Sequence, residues 1–204
     1  YKPEAIANDI QVFYEKVIKE PFILSGYSLG GQFGMCYAAK YHENLKTLIV
    51  IDSAPSISIK GIFTLLLTGA ATNKVFDSKK DLIDFYAKAG HQQIGEYLAE
   101  YTVNEREDGK IIFKFDNEHI SPKTITFNML RITELWRAVK RIPIPVYLIK
   151  GEKSQIINKR ITALMKRTIK EFEVTEIKQT GHEMIFTHPK EVSEAILRFI
   201  FKEK

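Results

Sequence analysis

Cysteine is almost absent from this sequence, since Cys36 is the only one among 204 residues. A chain with one cysteine forms no internal disulfide and no cysteine-built zinc or iron–sulfur site, which excludes a disulfide-stapled secreted module. It favours a reducing compartment, and we expect the protein to be cytoplasmic. No apolar run approaches the roughly 18 residues of a membrane span, because Gly69 and charged residues around it interrupt the longest candidate.

Several cofactor motifs are missing as well. The chain has neither the G-x-x-x-x-G-K-[ST] phosphate loop nor the G-x-G-x-x-G dinucleotide fingerprint, and no histidine pair has the spacing of a zinc-binding helix. We therefore expect no cofactor and no metal. The 30 Lys and Arg exceed the 25 Asp and Glu by a net charge of +5, but this excess is scattered, so nucleic acid is not an expected partner.

Hydrophobic periodicity indicates helices that alternate with strands. Short apolar segments, continuous at residues 22–24, 48–51 and 146–149 and interrupted at 172–177, predict parallel strands buried on both faces. Two amphipathic helices bracket this core. The first is predicted to pack through Ile6, Ile10, Phe13 and Val17, and the last through Val192, Ile196, Leu197 and Ile200. The pattern predicts an α/β fold whose mostly parallel sheet is flanked by helices.

Between Ser53 and about Arg141 this alternation stops. Helix signals occur at residues 61–67, 82–89, 92–101 and 124–139, and Asp108-Gly109 between two apolar runs predicts a β-hairpin. The segment leaves after one strand and returns before the next, so we expect a largely helical lid over the carboxyl edge of the sheet. The predicted organisation is core at residues 1–52 and 142–204, and lid at residues 53–141.

The motif Gly26-Tyr27-Ser28-Leu29-Gly30-Gly31 lies between a predicted strand and a predicted helix. This is the context of a nucleophile elbow, in which a serine on a strained turn exposes its hydroxyl. Glycines two residues before and after the serine are expected because a Cβ at either place would clash. The alternative is a glycine turn with an idle serine, or one that binds a phosphate at the helix N-terminus.

With this motif the chain resembles the α/β-hydrolase superfamily, in particular its lid-bearing serine hydrolase branch. The resemblance also rests on Gly181-His182 after the last strand, His188-Pro189 before the last helix, and Leu135-Trp136 ahead of Ile144-Pro145. It implies the C-terminal portion of that fold, with the family's first strands and a second oxyanion-hole donor missing before Tyr1. It further implies Ser28 as nucleophile and the Leu29 N–H as oxyanion donor.

His182 is the candidate general base. It follows the last predicted strand and so reaches the carboxyl edge of the sheet, where it could take the Ser28 proton. The other histidines are explained by helix ends, the insertion or a turn: His42, His91, His119 and His188.

The acid departs from the family pattern. That pattern resembles Gly-x-x-Ser-Asp after the penultimate strand, but here Gly151-Glu152-Lys153-Ser154-Gln155 has an amide at the acid position. Asp52, at the end of the strand after the elbow helix, resembles an alternative acid position and is the preferred substitute. Glu152 is the second choice, and loss of catalysis is the third possibility.

The predicted function is a serine hydrolase that cleaves an ester-like bond, or an amide, thioester or C–C bond, through an acyl-enzyme. Apolar residues of the insertion favour a small apolar substrate: Phe63, Leu65, Leu66, Leu67, Phe85, Tyr86, Phe127, Met129, Leu130 and Trp136. The alternative is a homologue that binds a ligand or a partner without catalysis, having lost its acid at Gln155.

Overall fold

The computed structural model describes residues 2–63, 74–114 and 131–201. Elements are numbered here in chain order. The strands are β1 (Phe22–Tyr27), β2 (Leu45–Ile51), β3 (Val103–Glu105), β4 (Ile111–Phe113), β5 (Val146–Gly151) and β6 (Phe172–Ile177). The helices are α1 (Pro3–Phe13), α2 (Leu29–Lys40), α3 (Lys79–Lys88), α4 (Gln92–Tyr101), α5 (Ile132–Val139), α6 (Lys159–Thr168), α7 (Met184–Thr187) and α8 (Pro189–Ile200).

The main sheet of the described chain is parallel, with strand order β1-β2-β5-β6. Tyr27 pairs with Ile51, and Ile51 pairs with Ile149, so these strands end side by side. The loops that leave β1, β2 and β5 therefore meet at one edge. The predicted α/β fold with a mostly parallel sheet is confirmed.

The core lies on both faces of this sheet. Leu48, Val50 and Leu148 are fully buried on the face covered by α1, α2, α5 and α6. Ile49 and Ile149 point to the other face, beneath α8. Adjacent residues of β2 and β5 thus bury opposite sides, which explains why these strands read as continuous apolar runs. The prediction that residues 172–177 are buried on both faces is wrong, because β6 lies at the edge of the described sheet and Glu173, Val174 and Glu176 are exposed.

The predicted packing face of the first helix is wrong at its second half. Phe13 and Val17 are 55% and 61% exposed. The helix continues from α1 into a π-helical turn, Tyr14–Ile18, which ends at Lys19 with φ of 61°. Tyr14 instead lies on the packed face, where its ring stacks on Phe22 with the centroids 5.9 Å apart.

The predicted face of the last helix is also partly wrong. Leu197 is 51% exposed and Ile200 36%, whereas Val192 and Ala195 are buried. The Phe199 ring stacks on Tyr147 of β5 with centroids 4.2 Å apart, and this contact fixes the orientation of α8. Ala195 and Phe199 are four residues apart, so they lie on one face of the helix.

The insertion has its own small core. Phe76, Leu82 and Phe113 are buried together with residues of α4 and the hairpin β3–β4. The predicted helices at 82–89 and 92–101 and the predicted hairpin are confirmed, and residues 59–63 are helical. Residues 64–73 and 115–130 lie outside the described chain, and with them parts of the predicted helices at 61–67 and 124–139.

The end of the insertion packs on the main core rather than on the small one. Val139 of α5 is fully buried there, and Trp136 packs against the same cluster. The boundaries at 53 and 141 stay a prediction. Within the described residues, none of the helices has the length and apolarity needed to cross a bilayer.

Candidate active site

Ser28 occupies a strained turn between β1 and α2. It is the single residue between the two elements, with φ of 53° and ψ of −122°. A side chain at positive φ costs free energy, so the surrounding structure must hold this conformation. Two backbone bonds do so: the Ser28 N–H donates to the Ile51 carbonyl, and the Gly31 N–H donates to the Ser28 carbonyl, both at 3.0 Å.

The glycines of this turn do not all have the expected role. A Cβ on Gly26 would lie 2.4 Å from the Gly30 carbonyl oxygen, and one on Gly31 would lie 2.6 Å from the Ser53 Cβ. A Cβ on Gly30 would have nothing within 4 Å. The expected clash at Gly30 is therefore wrong, because α2 meets the end of β2 at Gly31.

The His182 ring joins Ser28 to Asp52. Its Nε2 lies 3.0 Å from the Ser28 Oγ, and its Nδ1 lies 2.8 Å from the Asp52 Oδ2. A carboxylate only accepts hydrogen bonds, so this contact assigns the ring proton to Nδ1. Nε2 then carries a lone pair directed at the Ser28 hydroxyl.

Asp52 is completely buried at the end of β2, with φ of 42°. Burying a carboxylate is costly unless hydrogen bonds replace the water that it loses. Besides His182, the Asp52 carboxylate accepts bonds from the Gly151 N–H at 3.2 Å and from the Ser154 hydroxyl at 2.7 Å. These three donors, one at the end of β5 and one in the loop after it, offset the cost of burial.

Ser154 is itself held from the other side. Its Oγ accepts the N–H groups of Ile156 and Ile157, each at 3.2 Å. With its lone pairs occupied in this way, the hydroxyl directs its proton towards Asp52.

Gly151 allows the histidine loop to approach β5. A Cβ there would lie 2.4 Å from the Gly181 carbonyl oxygen and 2.7 Å from that of Thr180. The Lys153 N–H donates to the same Thr180 carbonyl at 2.9 Å. The two loops are thus in backbone contact, which brings His182 to Asp52.

Leu29 is the first residue of α2. The N–H groups of the first helical turn have no intrahelical acceptor, and they carry the positive end of the helix dipole. Its N–H therefore belongs to a helix terminus suited to a developing negative charge.

These contacts raise the question of which proteins share this fold. A sequence model of the family described as the alpha/beta hydrolase fold matches residues 1–189. The chain belongs to this α/β-hydrolase family.

Among curated proteins, the chain is similar to Lipase 3 of Moraxella sp., with 26% identity over 163 residues that cover 78% of this chain and 49% of the lipase. It is also similar to the 2-(acetamidomethylene)succinate hydrolase of Mesorhizobium japonicum, with 22% identity over 215 aligned positions covering 98% of this chain and 71% of that protein. The chain spans about half the length of the lipase that it matches.

Solved structures of the family share the architecture. The crystal structure of an E-2-(acetamidomethylene)succinate hydrolase superimposes with a TM-score of 0.85 at 23% identity, over 98% of this chain and 74% of that one. A Mycobacterium tuberculosis esterase gives a TM-score of 0.77 at 20% identity, over 100% of this chain and 70% of that one. At these identities the similarity shows the α/β-hydrolase fold alone.

Gln155, at the family's usual acid position, is not among the residues that contact His182 as described above. Gln155 is exposed, and its main-chain carbonyl accepts a hydrogen bond from the Ser58 hydroxyl at the start of the insertion. Glu152 is also exposed, and its two oxygens accept bonds from Lys178 and the Gln179 N–H. These bonds lower the Glu152 pKa, the backbone bond from Gln179 contributing most.

Among the described residues, the apolar side chains predicted to line the lid do not share one face. Phe85 and Tyr86 pack in the small core and Trp136 on the main core, whereas Phe63 is 64% exposed. The other predicted members lie outside the described residues: Leu65, Leu66, Leu67, Phe127, Met129 and Leu130. His119 lies there too.

Two residues near the histidine were missed by sequence reasoning. Ser154 belongs to the Gly-x-x-Ser pattern, but its bond to Asp52 joins residues far apart in the sequence, so the pattern does not reveal it. Tyr27 stands inside the elbow motif, and its contact with His182 joins residues 155 positions apart, which local patterns do not reveal. The burial of Tyr27, followed by the charges of Asp52 and Glu183, raises the pKa of its hydroxyl, so that the phenol stays protonated.

Proposed function

We propose that this protein is a serine hydrolase that cleaves an ester of a small apolar acid through an acyl-enzyme. The observation that carries the proposal is the continuous chain of contacts from the Ser28 Oγ through His182 to the Asp52 carboxylate. Ser28 is the nucleophile, His182 the general base and acid, and Asp52 the residue that orients the imidazole and stabilises its positive charge.

In the first half-reaction the Ser28 oxygen attacks the carbonyl carbon of the substrate as its proton passes to the His182 Nε2. The carbonyl oxygen becomes negatively charged, and the Leu29 N–H donates a hydrogen bond to it. The tetrahedral species collapses, the carbon–oxygen bond of the ester breaks, and His182 returns the proton to the leaving alcohol. The acyl group remains on Ser28.

In the second half-reaction a water molecule attacks the acyl carbon and gives a proton to the His182 Nε2. The bond to the Ser28 oxygen then breaks, and the same proton returns to that oxygen. A carboxylic acid leaves, and the enzyme is restored.

The choice of an apolar ester rests on two observations. The similar curated and solved proteins include ones named lipase and esterase, which act on ester bonds. A row of aromatic side chains also extends away from the histidine, since Tyr27 stacks on His182, Phe186 contacts Tyr27, and Tyr97 of α4 contacts Phe186. Amide, thioester and C–C substrates use the same groups, and they are the other outcomes of a substrate screen.

The alternative of a binding protein without catalysis depended on Gln155. A buried carboxylate at the His182 Nδ1 argues against it, since Asp52 carries the charge that an amide at position 155 lacks. We therefore favour the enzyme.

The test is hydrolysis of a short-chain chromogenic ester by the complete protein, together with labelling by a fluorophosphonate probe. Ser28→Ala is expected to lower kcat by about 10⁴-fold or more and to abolish labelling. Ser193→Ala is the matched control, because that hydroxyl only donates to the Pro189 carbonyl of its own helix. Wild-type turnover in Ser28→Ala, or an inert wild type that the probe does not label, would contradict the proposal.

A further inference from the structure

We propose that Tyr27 is a positioning residue for His182, which fixes both the ring and the main chain of the histidine beside Ser28. The inference rests on the proposed function, in which His182 is the base. Tyr27 is the last residue of β1 and directly precedes Ser28, so the strand that presents the nucleophile also presents this side chain.

Tyr27 contacts His182 in two ways. Its ring lies on the imidazole, with centroids 4.8 Å apart and planes inclined by 24°. Its hydroxyl lies 2.8 Å from the His182 carbonyl oxygen and donates to it, since a carbonyl has no proton to give. One side chain therefore restrains the imidazole face and the backbone from which the imidazole projects.

His182 needs such a restraint because it lies in a loop. It follows β6 without regular structure of its own, and its side chain is 24% exposed. The bond from its Nδ1 to Asp52 fixes one atom of the ring, but the ring can still tilt about that atom. A tilt moves Nε2 away from the Ser28 Oγ, and the Tyr27 ring blocks it on one face.

Tyr27 is itself held on several sides. It packs against the apolar cluster under α8, and the edge of its ring faces Phe186 of α7 at 6.5 Å between centroids. Phe186 in turn contacts Tyr97 of α4 at 5.0 Å. A group whose own position is fixed by its neighbours can hold a catalytic side chain without reorganisation during the reaction.

Two substitutions separate the contributions of the ring and the hydroxyl. Tyr27→Phe keeps the stacked ring and loses one neutral hydrogen bond, so kcat is expected to fall about threefold. Tyr27→Leu loses both restraints, and kcat is expected to fall about a hundredfold, the effect of a misplacement of about 1 Å. KM stays near its wild-type value in both, because Tyr27 acts on the histidine.

Tyr147→Phe is the matched control. Tyr147 is a tyrosine of the same sheet, its ring stacks on Phe199, and its hydroxyl donates to the Thr175 Oγ1 at 2.6 Å. The Tyr147→Phe variant should leave kcat unchanged. Thermal unfolding of all variants is measured alongside. If Tyr27 had only a structural role, Tyr27→Leu would be less stable, but the kcat of Tyr27→Phe would not be higher than that of Tyr27→Leu.

A second readout does not depend on turnover. In the NMR spectrum of the complete protein, the ring protons of His182 should be shifted upfield by the stacked Tyr27 ring. The shift should persist in Tyr27→Phe and vanish in Tyr27→Leu, with Tyr147→Phe like the wild type.

The outcomes distinguish this inference from the proposed function. If Ser28→Ala is inactive but folded Tyr27→Leu keeps wild-type kcat and the same His182 proton shifts, the positioning role is wrong and the hydrolase remains. If Ser28→Ala stays active, the proposed function is wrong, and the NMR comparison alone decides whether Tyr27 holds the ring.

Discussion

The Ser154 hydroxyl lies 2.7 Å from the Asp52 Oδ2, the same oxygen that accepts the Nδ1–H of His182. In the family pattern quoted above, the loop after the penultimate strand carries the acid. In this chain the Gly151 N–H at the end of β5 and the Ser154 hydroxyl after it bind the carboxylate of Asp52. Asp52 directly follows the neighbouring strand β2. The acid and its support have thus been divided between two strand ends.

Ser154→Ala is expected to lower kcat about tenfold. It removes a hydrogen bond to a charged group, worth about 1.5–3 kcal/mol in general, and part of that loss falls on the orientation of Asp52 in the transition state. KM should change little, since Ser154 contacts the acid and the Ile156 and Ile157 N–H groups. Steady-state kinetics measure the effect, with Ser193→Ala as control. An unchanged kcat would show that Asp52 needs no help from this loop.

Asp52→Asn is expected to lower kcat by about 10⁴-fold, as loss of the acid does in serine proteases. The amide has a donor as well as an acceptor, so it no longer selects the tautomer with the proton on Nδ1. Kinetics with a chromogenic ester measure the loss, and labelling by a fluorophosphonate should slow in parallel.

Gln155→Asp is the companion of that variant. The Nδ1 of His182 is already occupied by Asp52, so a new carboxylate at position 155 should leave kcat unchanged. A wild type that is silent and becomes active in Gln155→Asp would instead mean that Asp52 does not act as the acid.

Much of the site could be predicted because its signals are local. The elbow is a six-residue motif, His182 lies in the loop after β6, and Asp52 directly follows β2, so each could be placed at the carboxyl edge from the order of elements alone. The family resemblance placed Asp52 ahead of Glu152, but the sequence could not show what Glu152 contacts. Its partners, Lys178 and the Gln179 N–H, engage it through tertiary contacts.

The helix faces show a second limit. Periodicity placed Val17 on the packed side of the first helix, but the π-helical turn Tyr14–Ile18 has a wider period than an α-helix and changes the register of the face. The apolar pattern of the sequence does not predict such a turn. Similarly, the close approach expected to require a glycine at position 30 occurs at Gly31. Ser53, which follows β2, contacts α2 there.

Alanine at these two neighbouring glycines should have opposite effects on stability. Gly30→Ala places a methyl group in open space within α2 and should stabilise the fold by about 0.5 kcal/mol, since alanine loses less backbone entropy than glycine in a helix. Gly31→Ala places its methyl 2.6 Å from the Ser53 Cβ and should destabilise the fold by about 1–3 kcal/mol. Urea unfolding measures both. Equal effects of the two would contradict the assignment of the close approach to Gly31.

The buried ammonium of Lys150 makes the stability of the sheet depend on pH. Its side chain is 7% exposed, and its Nζ lies 2.7 Å from the Glu176 Oε2 on the adjacent strand β6. The hydrogen bond from Lys150, followed by that from Lys178, lowers the pKa of Glu176. A carboxyl whose pKa is lower in the folded state contributes stability above its unfolded pKa, and this contribution is lost as the pH falls through the folded pKa.

Glu176→Gln should therefore cost about 1–2 kcal/mol at pH 7, a figure reduced for the 37% exposure of the Glu176 side chain. The cost arises because the Lys150 ammonium loses its anionic partner. The difference in unfolding free energy between the variant and the wild type should shrink as the pH falls below 4.5, the ordinary pKa of glutamate. Urea unfolding at pH 7 and near pH 3 measures it. Glu194→Gln, which breaks the exposed pair with Arg198, is the control and should cost about 0.5 kcal/mol or less. A Glu176→Gln deficit that is the same at both pH values would place its origin in packing rather than in the charge on Lys150.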